Sequence, residues 1–143
     1  MEKQLTAGKP VPDKAISLNQ LVHNLVSNSL PAAMNNKSSV VNEVGQDVVV
    51  GSEMSTISGI LCDLLTTVVI NSRNGEIHIT ADRYRDVVTL EIQERNNYNG
   101  YALAYSIGTF EPDALKIGGH ISIKGSKQKV TTVSFSFPSL YAA

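Results

Sequence analysis

The residues of this chain whose types could do chemistry are three histidines and one cysteine, with carboxylates scattered between them. Histidine serves as a base, a metal ligand or a phosphate acceptor, and a thiolate as a nucleophile. The spacing supports none of these. His23, His78 and His120 lie far apart, and none has a carboxylate partner placed locally in sequence. No Ser/His/Asp or Cys/His arrangement suggests a hydrolase, and no cluster has metal-ligand spacing. His23 falls within a helical pattern with no acidic residue following it, so it reads as a surface or packing residue rather than a phospho-acceptor. His78 belongs to the polar face of a strand and His120 adjoins a glycine turn; both read as surface residues. Cys62 sits beside an apolar helical stripe and reads as a small buried hydrophobe.

Composition narrows the classes further. A chain of 143 residues is one domain by size, long enough for a two-layer core. Its net charge of −1 shows neither a basic nucleic-acid footprint nor an acidic tail, and nothing predicts membrane contact by the domain itself. One cysteine cannot form a disulfide within the chain, which fits a reducing compartment. No apolar run approaches the roughly 20 residues that span a bilayer, and no signal peptide opens the chain.

The element that must position any site is Ser52–Asn71. Met54, Ile57, Leu61, Leu64, Leu65 and Val68 recur at steps of three and four, one greasy face of a helix. Ser52 suits its cap and Glu53 its positive end. Before it, Met1–Ala15 is polar with Gly8, Pro10 and Pro12, a linker or loose arm. Ser17–Leu30 reads as a helix with Leu18, Leu21, Val22, Leu25 and Val26 inward and Pro31 past its end. Val40, Val41 and Val44 suggest a strand, and Val48–Val50 another. Beyond the central helix, Ile77, Ile79 and Ala81 alternate with polar residues, as do Val88, Leu90 and Ile92. That pair predicts a hairpin turning near Arg83-Tyr84-Arg85. Leu103, Ile107, Phe110, Ala114 and Ile117 predict a third helix over 100–117, kinked or restarted at Pro112. Gly118-Gly119 stops it. Strands follow at Ile121/Ile123 and at Val133, Phe135 and Phe137. One-sided strands and one-sided helices predict an α+β two-layer sandwich: a mixed, mostly antiparallel sheet covered on one face by three helices. The domain is expected to span 17–138, with an arm at 1–16 and a tail at 139–143.

Several phrases in this order resemble the ATP-binding domain of sensor histidine kinases, the Bergerat-type ATPase fold shared with gyrase and MutL. They are Ser17-Leu18-Asn19-Gln20-Leu21-Val22, the strand-turn-strand from Lys37 to Gly51, Gly118-Gly119-His120-Ile121-Ser122-Ile123, and the closing Thr131–Pro138. The resemblance covers about Ser17 to Pro138. It implies a nucleotide pocket formed by Asp63, Thr67, Glu94, Asn96 and Thr131. The family's central helix carries Asn-Leu-Leu-x-Asn-Ala, whose second Asn holds the magnesium; here Asp63-Leu64-Leu65-Thr66-Thr67-Val68 puts Thr67 there. A later basic position is Ile70. The family's Asp-x-Gly-x-Gly, which binds adenine, becomes Glu94-Arg95-Asn96-Asn97-Tyr98, so Glu94 replaces Asp and Asn96 replaces glycine. The glycine-rich lid that wraps the phosphates is absent, with only Asn97-Tyr98-Asn99 before the Gly100 helix. Thr131 matches a family Thr near the adenine.

Phosphates need several convergent donors and a metal to offset their desolvation. The resemblance with these losses implies a two-component signalling module with lost or weakened ATP binding, a pseudokinase. It would have no catalytic residues, metal or cofactor and would act through protein contacts. Its partners would be an upstream histidine-containing dimerisation domain, a response regulator or a partner kinase, with no nucleic acid. Leu21 and Leu25 on the first helix are candidates for such a surface, against plain core packing. Its expected place is cytoplasmic, alone or as the cytosolic part of a membrane-anchored sensor. Two alternatives remain open. One is an active domain that binds ATP and Mg and phosphorylates a histidine on the upstream domain. The other is a small anti-sigma-like or phosphotransfer scaffold.

Overall fold

The structure, a computed structural model, describes residues 16–51 and 54–139. The arm Met1–Ala15, the cap positions Ser52 and Glu53, the Met54 side chain and residues 140–143 lie outside it. Within it the order is β1 (Ile16–Ser17), α1 (Leu18–Asn35), β2 (Ser39–Asn42), β3 (Val49–Val50), α2 (Met54–Ile70), β4 (Glu76–Tyr84), β5 (Val87–Glu94), α3 (Gly100–Gly108), α4 (Glu111–Lys116), β6 (His120–Lys124) and β7 (Thr131–Pro138). Five strands form one sheet in the order β2-β4-β5-β7-β6, with β2 parallel to β4 and every other pair antiparallel. A two-residue ribbon pairs β1 with β3.

Period-2 patterning decides the sheet. Ile77, Ile79, Val88, Leu90, Ile92, Ile121, Val133, Phe135 and Phe137 all point into the core. The stripe of α2 meets them with Ile57, Leu61, Leu64, Leu65 and Val68. Leu21 and Leu25 of α1 are buried there as well, which removes them from any docking surface. The other face of the sheet is polar and partly zipped by cross-strand bonds: Thr89 Oγ1 to Ser136 Oγ at 3.0 Å, and Ser134 Oγ donating to Glu91 at 3.1 Å. The fold is therefore the expected α+β sandwich, with the third helix divided into α3 and α4. Pro112 sits in the first turn of α4, where a missing N–H costs nothing.

Four local expectations need correction. First, α1 does not stop before Pro31 but runs through it to Asn35. A proline inside a helix forfeits one backbone bond. Here the last turn is held from outside: Ala33 is buried, and Asn36 donates its side-chain amide to the Val69 carbonyl at 2.9 Å. Second, the hairpin turn falls at Arg85-Asp86, with Tyr84 paired to Val87 and Arg85 at φ 56°. Third, Cys62 is exposed, not buried; one residue past Leu61 it has rotated off the stripe. Fourth, the fold gives two histidines the carboxylates that sequence withheld. His78 lies between Glu43 (Nδ1–Oε1 3.0 Å) and Glu76 (Nε2–Oε1 3.5 Å) with its side chain only 13% exposed, and His120 meets Glu111 at 3.0 Å. His120 remains on the surface; His78 is half-buried.

Candidate functional site

The five predicted pocket residues fall into two groups. Glu94, Asn96 and Thr131 come together because β5 and β7 are antiparallel in a register that pairs Glu94 with Thr131. Glu94 is buried, and one carboxylate oxygen accepts the Asn96 backbone N–H at 3.2 Å. Its other oxygen, Oε2, is buried without a hydrogen-bond partner. Burial pushes the carboxyl pKa up, and the Asn96 N–H pulls it back only in part. Thr131 is buried, with its hydroxyl donating to the Gly125 carbonyl at 3.2 Å.

Asp63 and Thr67 form the second group, one turn apart on the exposed side of α2. Thr67 Oγ1 donates back to the Asp63 carbonyl at 2.7 Å, so its proton is spent on the helix. Asp63 also lines an open groove of about 440 Å³ between α2 and α4, with Ser55, Thr56, Gly59, Cys62 and Lys116. Thr67, Glu94, Asn96 and Thr131 do not line it. No direct bond joins the two groups among the described residues. The link is a ladder: Asn71 donates to the Thr67 carbonyl at 2.9 Å and accepts from Asn99 at 3.2 Å.

That ladder belongs to a set of pins that sequence reasoning missed. Residues 95–99 between β5 and α3 are tied down on both sides. Asn96 donates to the carbonyls of Arg73 and Asn74 at 3.2 and 3.3 Å. Asn97 donates to the Ser126 carbonyl at 2.8 Å and accepts the Gly100 N–H at 2.7 Å. The Arg73 guanidinium lies 5.4 Å from the centre of the Tyr98 ring. The missed signal is the asparagine run itself, a residue type that binds backbone in place of secondary structure. Two glycines permit the closeness. A Cβ on Gly100 would lie 2.2 Å from the Ser126 carbonyl oxygen, and one on Gly75 would lie 2.0 Å from Glu94 Oε2. Ile70 and Tyr98 do not plug a cavity; both side chains are exposed. Among the described residues no group of three or more His, Cys, Asp or Glu side chains could hold a metal ion.

The raised pKa of Glu94 has a signed consequence. A carboxyl whose folded pKa exceeds its unfolded value adds stability that is complete below the unfolded pKa and is lost as pH rises through the folded one. Glu94→Gln keeps an oxygen for Asn96 and cannot ionise. The variant is expected to gain stability relative to the parent as pH rises from about 4 to 8, measured by urea denaturation across that range. A difference that stays flat with pH counts against a buried, reluctantly ionised Glu94.

With fold and site in place, the likeness is specific: the chain has the fold of the catalytic ATPase domains of histidine kinases. Full-length ShkA, solved with AMPPNP, superposes with a TM-score of 0.77 at 13% identity, over 96% of this chain and 33% of that one. Histidine kinase AdeS of Acinetobacter baumannii gives 0.73 at 10% identity, over 90% of this chain and 68% of AdeS. The catalytic domain of histidine kinase ThkA gives 0.68 at 17% identity, over 88% and 95%. No protein-family model matches the sequence, and no curated protein matches it either.

Proposed function

We propose that this chain is the ATPase-like domain of a two-component histidine kinase in which ATP binding is lost or greatly weakened, and that it acts through protein contacts. The observation that carries the first half is the pinned connection between β5 and α3. Five residues, 95–99, span it, and their asparagines hold it against the 72–75 and 125–129 loops. A lid needs length and freedom, and this segment has neither. Glu94 is buried with one carboxylate oxygen already accepting the Asn96 N–H, and Thr67 offers its proton to its own helix.

The second half is supported by the outer face of the helices. Across α1, α2 and α3 the only Asp, Glu, Lys or Arg is Asp63. A helical face left in water normally carries charges, whereas the centres of protein interfaces are depleted of them. Leu30, Met34, Tyr101 and Tyr105 are exposed on these helices among Asn, Ser and Thr. ThkA has been solved in complex with the response regulator TrrA. A response regulator, or an upstream histidine-bearing helical domain, is the kind of partner we propose for this face.

Calorimetric titration with ATP or ADP plus magnesium tests the first half. The expected result is no binding at millimolar nucleotide; a low-micromolar dissociation constant overturns it, whatever the partner.

A further inference from the structure

The sheet has one end where four loops lie side by side. Strands β2 and β4 start there, β5 and β6 end there, and β7 starts there, with Ser39 opposite Glu76, Glu94 opposite Thr131 and Lys124 opposite Thr132. Five strands make this edge roughly 20 Å wide. Backbone and asparagine bonds join its loops: the Asn74 N–H to the Asn36 carbonyl at 3.0 Å, Asn96 to Arg73, and the Asn97 N–H to the Lys129 carbonyl at 2.9 Å.

Six of the nine described Lys and Arg residues gather on these loops and strand ends: Lys37, Arg73, Arg95, Lys124, Lys127 and Lys129. Among the described residues only two carboxylates share this pole. Glu76 is engaged with Arg95 at 3.8 Å and with His78, and Glu94 is buried. The rest of the described chain carries three cations against eight carboxylates. The net charge of −1 therefore conceals a strongly polar molecule, and composition alone predicted no membrane contact. The four lysines are exposed and make no ion pair among the described residues. Apolar side chains stand at the same pole. Met34 and Ile70, near the ends of α1 and α2, are 72% and 58% exposed, and Tyr98 is 59% exposed.

We propose that this pole is a docking surface for an anionic lipid bilayer. Lysine clusters attract anionic headgroups, and their long stems let the charge reach headgroups while the chain lies along apolar surface. Exposed Tyr, Ile and Met add the shallow apolar insertion that holds an interfacial protein. Of the five pole cations without an ion pair among the described residues four are lysine, which protein interfaces disfavour relative to arginine, and the fifth, Arg73, lies over the Tyr98 ring, so an acidic protein fits this pole less well. The strands then run along the membrane normal. This inference is independent of whether the domain binds nucleotide.

Sedimentation of the full chain with vesicles tests it, using phosphatidylcholine alone against phosphatidylcholine with about 30% phosphatidylserine. Binding is expected only to the anionic vesicles and is lost near 0.5 M salt, where screening is within about 4 Å. Lys127→Glu with Lys129→Glu is expected to lower partitioning at least tenfold with an unchanged melting temperature, since both side chains are exposed. Tyr98→Ser lowers it several-fold. Lys116→Glu, on α4 away from this pole, leaves it unchanged. The proposal fails if anionic vesicles do not sediment the protein, if neutral ones do so equally, or if Lys116→Glu is as damaging as the pair. It fails too if polyglutamate or a single-stranded oligonucleotide binds more tightly than the vesicles.

Discussion

Phe135→Ala is expected to destabilise the domain by about 3–5 kcal/mol, the largest single effect among core positions. The side chain is fully buried at the centre of β7, between Leu90 on β5 and Ile121 on β6 in the register. Its ring lies 4.9 Å from that of Phe137, tilted by 40°. Neighbours on two strands cannot collapse into the gap without breaking ladder bonds, so most of the cavity persists. Against a total stability of about 5–15 kcal/mol, that loss is a fifth or more of the margin. Urea denaturation should show the midpoint falling with an unchanged slope, and melting should drop by roughly 10–20 °C. A cost under about 1 kcal/mol would mean that the β7 core is far looser than described.

The second large effect separates two glycines of the same fold. Gly100→Ala places a methyl 2.2 Å from the Ser126 carbonyl oxygen and 2.6 Å from Asn97 Oδ1. Backbone must move, and both the start of α3 and the 125–129 turn lose their shared bonds. The expected cost is about 2–3 kcal/mol, at the upper end for overpacking. Gly59→Ala, inside α2 and exposed, meets nothing within 4 Å and should stabilise by about 0.5–1 kcal/mol. Measured side by side, the two variants should differ in sign. If Gly100→Ala were neutral, the pinned loop would not be pinned, and the case for a missing lid would weaken with it.

How far the sequence could be read depended on the range of the interaction. The stripe of α2 and the alternation of β7 are local patterns, and they predicted the burial of Ile57, Leu61, Leu64, Leu65 and Val68 and of Val133, Phe135 and Phe137, although Ile60 and Val69 are buried beside the stripe and Cys62 is exposed. Pro31 misled because the contacts that carry α1 past it come from Val69, far along the chain. His78 misled for the same reason: Glu43 reaches it only through the parallel pairing of β2 with β4. At the candidate site, resemblance pointed to Glu94 and Thr131, and the register of two strands brought them together. Their surroundings were not legible. Asparagine declares that it will bind backbone but not whose, so the bonds of Asn96, Asn97 and Asn99 appear only in three dimensions. The basic pole was hidden similarly, because its six cations are distributed over more than ninety residues.

One side chain ties two distant margins of the fold to each other. Arg83 donates one guanidinium nitrogen to the Val49 carbonyl at 2.8 Å and another to the Ser139 carbonyl at 2.9 Å. Val49 pairs with Ser17 in the β1–β3 ribbon, beside Ile16. A single planar cation thus clasps the β1–β3 ribbon to the residue that follows β7. Removing it, as in Arg83→Ala, strips both carbonyls of their partner at once, so the two margins of the fold are expected to loosen together rather than one by one.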